Sequence, residues 1–351
     1  MRPSERGHAW LMYHSMRLLM AANHGLITTY QARDCGLTTS QLAHLVRSGA
    51  LVPVRHGVYA DGELWASLDG DRGQHALRTR AAIMIMRRTF VVSHDSSAHE
   101  HGLGILNPPD PHVHITRPGS TAAWTRAGVK HHLARYTSAQ VQEVNGLDIM
   151  DLARTAVDIA REHGPPYGEI ACDAALRLGV SRADLEDACA VMTCWPHVHR
   201  TRQAVAFADP RAQNLAETMG RIFVADLGLV PGDLQFPVQL AGGKVRWGDI
   251  LVGCHLFEID GELKLRPPSE GGVADRPAIE VVWADKLRDR ELGREGLGTS
   301  HIVWQDFWPP HRADALKRVR AEFDESVARF GSRTPERLLR QAREIRGRRG
   351  A

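Results

Sequence analysis

Glycines divide the first sixty residues of the chain into segments that leave room only for short helices and strands. Apolar residues recur at helical spacing over residues 9–23, and Gly25 ends that helix because glycine readily adopts the left-handed conformation found after helices. Residues 29–35 predict a second, shorter helix that Gly36 closes in the same way. A small helical domain is therefore expected at this end of the chain.

The next segment predicts one more helix and a hairpin. Thr39 or Ser40 is placed to cap the third helix, and Gly49 ends it. Residues 51–54 and 58–60 then form two short strands on either side of a tight turn. Three helices followed by a two-stranded wing are the element order of a winged helix-turn-helix, which docks its third helix in the major groove of DNA.

The polar face of the third helix indicates what this domain contacts. Gln41, His44 and Arg47 lie on its solvent side, and Arg55 lies on the wing, where phosphates would pass. Side chains of these types hydrogen-bond to base edges and phosphates. We therefore predict that these four residues bind double-stranded DNA; the alternative is an ordinary polar face on a small helical domain.

Composition bounds the rest of the chain. Its 351 residues, 43% of them hydrophobic and 24% charged, suffice for two or three domains with substantial cores, at roughly 150 residues each. No apolar stretch approaches the roughly 18 residues of a membrane helix, and no signal peptide is recognisable. Five scattered cysteines without a CxxC pair favour a reducing compartment. A cytoplasmic protein with no membrane contact is expected.

Residues 63–200 predict a middle α/β domain. Ser93 is placed to cap a helix that ends at Gly102, and strand-like alternation covers 113–116 and 129–133. Seven histidines fall in this region: His94, His99, His101, His112, His114, His131 and His132. Because they occupy several elements with no single ligand spacing, they are interpreted as scaffold or interaction surface rather than as a metal or catalytic site.

The segment 201–312 carries the strongest chemical signal. A helix is predicted over 214–227, and two strands are predicted over 245–252 and 255–260. The loop between these strands is Gly253-Cys254, whose leading glycine suits a type II′ turn. Such a turn aligns the two strands as an antiparallel hairpin.

This hairpin register concentrates acidic side chains on one face. It sets Asp249 opposite Glu258, with Cβ atoms about 4.5–5.5 Å apart, and the period of two along a strand places Asp260 beside Glu258. Carboxylates this close repel one another unless a cation or protons neutralise them. Mg²⁺ or Mn²⁺ is the expected ion, with Asp249 and Glu258 as its ligands, because both metals prefer oxygen donors. The alternative is the polar outer face of an antiparallel sheet.

Two further residues are candidates for the same site. Glu217 on the preceding helix can supply another carboxylate, but Asn214-x-x-Glu217 is equally a capping-box pattern. Lys264, four residues beyond Asp260, is either placed to orient water and counter developing charge or is an ordinary surface lysine. Both interpretations stay open for each residue.

The first half of the chain resembles a known family. The likeness rests on GLITTYQARDCGLTTSQLAHLVRSGALVPVRHGVYA (25–60), SHDSSAHEHGL (93–103), HVHITRP (112–118) and DLARTAVDIAR (151–161). These stretches resemble the AbiEi-like antitoxins of type IV toxin–antitoxin systems. The resemblance implies a winged helix that binds operator DNA and a second domain that neutralises a nucleotidyltransferase-type toxin.

The later segments resemble a second family. ADPRAQNLAETMGRI (208–222) and VRWGDILVGCHLFEIDGELK (245–264) look like very-short-patch-repair-like endonucleases of the PD-(D/E)xK superfamily. The resemblance implies acidic positions at Glu217, Asp249 and Glu258, followed by Asp260 and Lys264, and metal-assisted phosphodiester hydrolysis. The chain departs from the superfamily pattern: Asp260 stands where lysine is usual, and a PPSEGG insertion (267–272) precedes ADKLRDREL (284–292).

Together these patterns predict an α/β multidomain protein of the α+β type. The expected segments are a winged helix-turn-helix domain (1–62), a middle α/β domain (63–200), a restriction-endonuclease-like α/β/α sheet domain (201–312) and a basic helical tail (313–351). The tail holds seven arginines between 333 and 349, which predict either sequence-independent phosphate contacts or a solvated helix.

Two functions remain open at this point. The first is a DNA-binding, antitoxin-like regulator that also carries a metal-dependent DNA endonuclease domain. The second is a non-catalytic antitoxin and repressor whose nuclease-like fold only binds DNA or a partner. The expected partners are double-stranded DNA and a nucleotidyltransferase-type toxin, and both functions allow a homodimer.

Overall fold

The computed structural model describes residues 3–68, 70, 72–86, 89–118, 122–229, 232–260 and 278–349. Its contacts divide the chain into two units. One comprises Met1–His163 with Ala183–Thr201, and the other comprises Gly164–Arg182 with Arg202–Ala351. The finer division into four segments stays a prediction. Lys264 lies outside the described residues.

No helix in the described ranges has both the length and the apolar character required to cross a lipid bilayer.

The first unit begins with three helices and a small sheet. The elements are α1 (Pro3–Ala22), β1 (Leu26–Thr28), α2 (Thr29–Asp34), α3 (Thr39–Arg47), β2 (Leu51–Arg55) and β3 (Val58–Asp61). The strands pair antiparallel in the order β1-β3-β2. Met16, Ala32 and Leu42, one from each helix, are buried in one cluster with Ile27 and Leu51. This is the element order of the winged helix-turn-helix that the sequence predicts.

The cap of α3 differs from the prediction by one residue. Thr38, rather than Thr39 or Ser40, begins the helix, and its Oγ1 accepts a hydrogen bond from the Gln41 backbone nitrogen at 3.2 Å. Gln41 returns a bond, because its Oε1 accepts from the Thr38 backbone nitrogen at 2.8 Å. The two residues form a reciprocal capping box that uses part of the Gln41 side chain.

The first unit continues into a six-stranded mixed sheet. The elements are α4 (Gly62–Ser67), α5 (Arg72–Ile83), β4 (Val91–Val92), α6 (His94–His101), β5 (Val113–Arg117), β6 (Trp124–Arg126), β7 (Val129–Leu133), β8 (Val141–Val144), β9 (Leu147–Met150) and α7 (Leu152–His163). The strand order is β6-β7-β5-β4-β9-β8. Gly102 ends α6 in the left-handed conformation, as predicted. The sequence does not indicate β6 and β8, because neither has a buried side to give an apolar alternation.

Three helices follow in the stretch where the chain changes between units. They are α8 (Tyr167–Arg177), α9 (Arg182–Ala190) and α10 (Val198–Phe207). In the second unit, α8 packs against a later helix, α11 (Leu215–Asp226), through a buried ion pair. Arg221 donates from Nη1 to Oδ2 of Asp173 at 2.6 Å, and Thr218 donates to the same oxygen at 2.8 Å.

The second unit is built on a four-stranded sheet with helices around it. Its remaining elements are α11 (Leu215–Asp226), β10 (Asp233–Gln239), β11 (Val245–Val252), β12 (His255–Asp260), α12 (Ala278–Arg294), β13 (Gly298–Val303), α13 (Arg312–Phe330) and α14 (Glu336–Arg349). The strand order is β10-β11-β12-β13; the first three strands are antiparallel, and β13 runs parallel to β12.

A glycine sets how closely α11 approaches this sheet. A Cβ atom at Gly220 would lie 2.3 Å from Cδ1 and 2.7 Å from Cγ1 of Ile259 on β12. The absence of a side chain therefore lets the helix lie directly on the strand that carries Glu258. As a result, the start of α11, with Glu217, lies over the acidic hairpin, which is β11 and β12 with Asp249, Glu258 and Asp260.

The arginine-rich end of the chain packs against the sheet of the second unit. Leu338 and Ala342 of α14 are buried in the same cluster as Phe236 and Leu256 of the sheet. Arg346 donates to both carboxylate oxygens of Asp233, at 2.8 and 3.1 Å. The helix folds back because its apolar side chains complete the core. The charge of Arg346 is already neutralised by Asp233 within the unit.

Candidate functional site

Glu217 lies at the start of α11 and is only 8% exposed. Its backbone nitrogen donates to Oδ1 of the cap residue Asn214 at 3.0 Å, and its Oε2 accepts from the Gln213 backbone nitrogen at 2.8 Å. The same Oε2 accepts from Nε2 of Gln235 on β10 at 3.0 Å. Burial raises the pKa of Glu217, and the charge of Asp249 adds to the rise. The residue thus serves the helix start and also faces the acidic hairpin.

Asp249 lies on β11, in the hairpin whose register the sequence predicts. Val252 pairs with His255, and the paired residues continue to Ile250 with Phe257. One step further, Oδ2 of Asp249 accepts from the backbone nitrogen of Ile259 at 2.7 Å. This bond holds the carboxylate against β12 at Ile259, the residue after Glu258.

The Gln235 amide joins two of the acids. Its Nε2 lies 3.0 Å from Oε2 of Glu217 and 3.5 Å from Oδ1 of Asp249. One amide nitrogen carries two donor hydrogens, so it can serve both carboxylates at once. Nothing in the sequence pattern marks Gln235 for this role, since it lies on β10, whereas the two acids lie on α11 and β11.

Glu258 is almost fully buried on β12 and has a cationic partner. Arg288 of α12 donates from Nη2 to Oε1 of Glu258 at 2.7 Å and to the backbone oxygen of Trp247 at 3.0 Å. Burial raises the pKa of Glu258 to about 7 despite Arg288, and Asp249 and Asp260 add to the rise. The loss of hydration on burial therefore outweighs the stabilising charge of the guanidinium at Glu258.

Asp260 ends β12 in a contact with a histidine from the parallel strand. His301 lies 2.8 Å from Asp260 (Nδ1 to Oδ2) and 3.3 Å from Asp289 (Nε2 to Oδ1). The hydrogen bonds to these two carboxylates raise the pKa of His301 to about 10, so the ring is an imidazolium at neutral pH. The parallel register sets His301 directly beside Glu258.

The donor chemistry of this acidic site fits a hard divalent cation, since its candidate ligands are carboxylate oxygens. Over the described residues, no three of these carboxylates have oxygens that all lie within 4.8 Å of one another. Glu258 and Asp260 instead face Arg288 and His301. Binding a cation through Oε1 of Glu258 would therefore displace its arginine partner.

On the predicted DNA face, two of the four residues are exposed and two are engaged within the protein. His44 and Arg47 are exposed on α3. Gln41 contributes its side-chain oxygen to the cap, and Arg55 donates from Nη1 to the backbone oxygen of Ala127 at 3.0 Å. That bond ties the wing to the turn between β6 and β7, a contact that a reading of local sequence does not reveal.

Comparisons with known proteins find one matching family model and two similar proteins. Residues 16–60 match the model of a family described as "Transcriptional regulator, AbiEi antitoxin". Two curated proteins from strains of Mycobacterium tuberculosis, "Uncharacterized protein Rv2248" and "Uncharacterized protein MT2308", are each 30% identical to the chain over 238 residues, which is 64% of this chain and 80% of the relative. The chain therefore belongs to the same family as these mycobacterial proteins, and its residues 16–60 carry the AbiEi transcriptional-regulator domain.

Proposed function

We propose that the chain is a DNA-binding transcriptional regulator of the antitoxin type, which docks α3 in the major groove. The observation that carries this proposal is that the family match and the helix and wing elements cover the same residues. The AbiEi match over 16–60 covers the part of the chain that folds as helices, a three-stranded sheet and a wing. Such a fold presents the exposed face of its third helix to base edges.

His44 and Arg47 are the residues that would read bases. Both are exposed on α3, one turn apart. An arginine there can donate two hydrogen bonds to O6 and N7 of a guanine. Gln41 offers its amide nitrogen, since its oxygen serves the cap, and Arg55 holds the wing in place through Ala127. These two side chains would contribute to DNA docking mainly by fixing the shape of the domain.

The test is binding of the full chain to DNA upstream of its own gene, measured by fluorescence anisotropy at several salt concentrations. Arg47→Ala should weaken binding by about 1–3 kcal/mol and reduce the preference over unrelated DNA. Arg17→Ala, which removes an exposed arginine from α1, is the matched control and should change little. Equal losses in the two variants would remove α3 as the reading element.

A second candidate function is metal-dependent hydrolysis of DNA phosphodiesters by a restriction-endonuclease-like second unit. It is favoured by the grouping of Glu217 and Asp249 around one glutamine, with Glu258 on the neighbouring strand. The element order from α11 to β13 is helix, three antiparallel strands, helix and a parallel strand. This order agrees with the resemblance to the PD-(D/E)xK superfamily that the sequence suggests.

Each residue has a role in this proposal. Asp249 and Glu258 would hold Mg²⁺ or Mn²⁺, and Glu217 and Asp260 would help to hold the ion or orient a water. The bound ion would supply activation of that water and charge to offset the phosphate. Arg288 and His301 are cations beside these acids and would face the substrate phosphate, a role for which Lys264 remains a further candidate.

A plasmid-nicking assay with Mg²⁺ or Mn²⁺ tests this function. The full chain should nick supercoiled DNA, and Asp249→Asn and Glu258→Gln should each abolish the activity. Asp233→Asn, which alters a carboxylate of the same unit that pairs with Arg346, is the control and should retain it. Equal activity in all variants would point to a contaminant. No activity in any of them would leave the alternative, in which the second unit only binds DNA or a partner.

The antitoxin role itself is tested in cells. Co-expression of the full chain should relieve growth arrest caused by a nucleotidyltransferase-type toxin encoded beside its gene. Rescue by Asp249→Asn as well as by the unmodified chain would separate neutralisation from hydrolysis.

A further inference from the structure

Three histidines that lie far apart in the sequence meet inside the first unit. His94 begins α6, His114 lies on β5 and His132 lies on β7. Each residue offers one ring nitrogen, and these three nitrogens all lie within 4.8 Å of one another. All three side chains are buried. The His94 and His132 rings stack with centroids 3.7 Å apart. We call these residues the histidine cluster.

The ring nitrogens of this cluster are poorly satisfied by the protein alone. Nδ1 of His114 faces Nε2 of His132 at 2.9 Å. Within the described part of the chain, Nε2 of His94 is buried and has no hydrogen-bond partner. Buried polar atoms are nearly always paired, because an unpaired one has lost its hydration without compensation. An additional group at this position is therefore expected.

We propose that His94, His114 and His132 form a binding site for a divalent transition-metal ion of the zinc class. Three imidazole nitrogens are a common donor set for zinc, with a water or another ligand completing the shell. Imidazole is a softer donor than carboxylate and does not suit magnesium. The site is thus separate in chemistry from the acidic hairpin and independent of the functions proposed above.

Neighbouring side chains lie within hydrogen-bond distance of the rings, like the groups that orient the ligands in known metal sites. Nδ1 of His94 lies 2.9 Å from Oγ of Ser93, and Nε2 of His114 lies 3.2 Å from Oδ2 of Asp95. The same carboxylate oxygen lies 2.8 Å from Nε2 of His163. A carboxylate that accepts from one ring nitrogen fixes the tautomer and directs the lone pair of the other nitrogen to the ion.

The pKa values of the cluster are lowered mainly by burial. Burial lowers the pKa of His94 and His114 well below the usual value and that of His132 to about 3, and the charge of Arg161 contributes at His94 and His132. All three rings are therefore neutral at physiological pH. A neutral imidazole keeps the lone pair that a metal requires, so no proton has to be displaced.

The backbone at His94 agrees with a functional demand on its position. Its φ is +51°, in the left-handed region that residues other than glycine rarely adopt. Such a conformation is strained and persists where the surroundings impose it. Here it directs the His94 ring from the start of α6 toward the rings of β5 and β7.

A second group in the same region is a weaker candidate. Asp95, His114 and His163 also offer ligand atoms within 4.8 Å of one another. In that group Oδ2 of Asp95 already lies within hydrogen-bond distance of His163 and close to His114. Among the described residues its buried unpaired atom is a carboxylate oxygen, Oδ1 of Asp95, whereas that of the histidine cluster is an imidazole nitrogen, which suits a zinc-class ion. We therefore assign Asp95 and His163 to orienting the ligands.

Zinc binding by the full chain tests this inference. The protein is purified without a metal-affinity step, treated with a chelator and titrated with Zn²⁺ against a chromophoric competitor. The unmodified chain should bind one equivalent, and His94→Gln and His132→Gln should each lower the affinity at least about tenfold. His75→Gln is the matched control, because His75 is a buried histidine of α5 bonded to Ser96 and outside the cluster. No zinc bound by the unmodified chain, or equal affinity in His94→Gln, would overturn the proposal.

X-ray absorption of the zinc-loaded, unmodified chain gives a second measurement that does not depend on folding of the variants. A shell of nitrogen scatterers with the outer features of imidazole rings is expected. A shell of oxygens alone, or one that contains sulfur, would place the ion elsewhere and rule out the histidine cluster.

Discussion

Arg288 and Glu258 are joined by a hydrogen-bonded ion pair of 2.7 Å between Nη2 and Oε1, in which the carboxylate is nearly buried. Replacing Arg288 by methionine keeps most of the side-chain volume but leaves Glu258 without its cation. Breaking a buried pair costs about 3–5 kcal/mol when the remaining charge stays desolvated. The pKa of Glu258 is already raised to about 7, however, so without Arg288 this carboxyl takes up a proton at neutral pH. We therefore expect a loss below that range for Arg288→Met, measured by urea unfolding at neutral pH.

The double variant Arg288→Met/Glu258→Gln distinguishes the ion pair from simple packing. It contains neither charge, so most of the stability should return. If the double variant is as unstable as Arg288→Met, the loss comes from the arginine's packing and its bond to Trp247 rather than from the pair.

The cap of α3 gives a prediction that distinguishes neighbouring residues. Thr38→Ala removes the hydroxyl that accepts from Gln41 and should lower the free energy of unfolding by about 1 kcal/mol. Ser40→Ala removes an exposed hydroxyl two residues further along the chain and should have little effect. Thermal unfolding of both variants checks this, and a larger loss for Ser40→Ala would move the helix start to the position that the sequence first suggests.

Asp173 and Arg221 form a second buried pair, between α8 and α11. Asp173 also accepts from Thr218 and from the Asp209 backbone nitrogen at 2.7 Å. Arg221→Met should destabilise the chain by about 3–5 kcal/mol, because it leaves the carboxylate buried with too few donors. Arg320→Met, in an exposed pair with Asp324, is the control and should cost about 0–1 kcal/mol. Chemical denaturation of both proteins makes the comparison; similar losses would contradict the assignment.

His255 predicts how stability changes in acid. It is fully buried, and its two ring nitrogens lie 2.8 Å from Oγ of Ser326 and 2.9 Å from Oγ of Ser300. Burial lowers its pKa from 6.5 to about 4, so between these values the unfolded chain binds a proton that the folded chain does not. The free energy of unfolding should therefore fall as the pH drops from 6.5 to 4, by roughly 3 kcal/mol from this group.

Denaturation curves at pH 7 and pH 4.5 for the unmodified chain and for His255→Asn measure this contribution. The variant should lose less stability between the two pH values, because asparagine does not titrate. Parallel losses in the two proteins would show that other groups control the acid response.

The local patterns of the sequence determined the elements on which the candidate residues lie. Threonine and glycine boundaries were enough to predict the helices and wing of the first sixty residues, and Gly253-Cys254 was enough to predict the register that starts at Val252 and His255. These predictions succeed because caps and tight turns depend on residues only a few positions apart.

The tertiary structure decided what surrounds those residues. Arg288 reaches Glu258 across 30 positions of sequence, and His301 reaches Asp260 across 41, because β13 pairs with β12 and α12 lies beside the hairpin. The histidine cluster depends in the same way on strand order, since β5 and β7 are neighbours through a parallel pairing. Spacing along the chain argues against a metal site there, whereas the folded sheet brings the rings together. Which strands become neighbours is set by burial of the whole core, and that information is not contained in any short stretch of sequence.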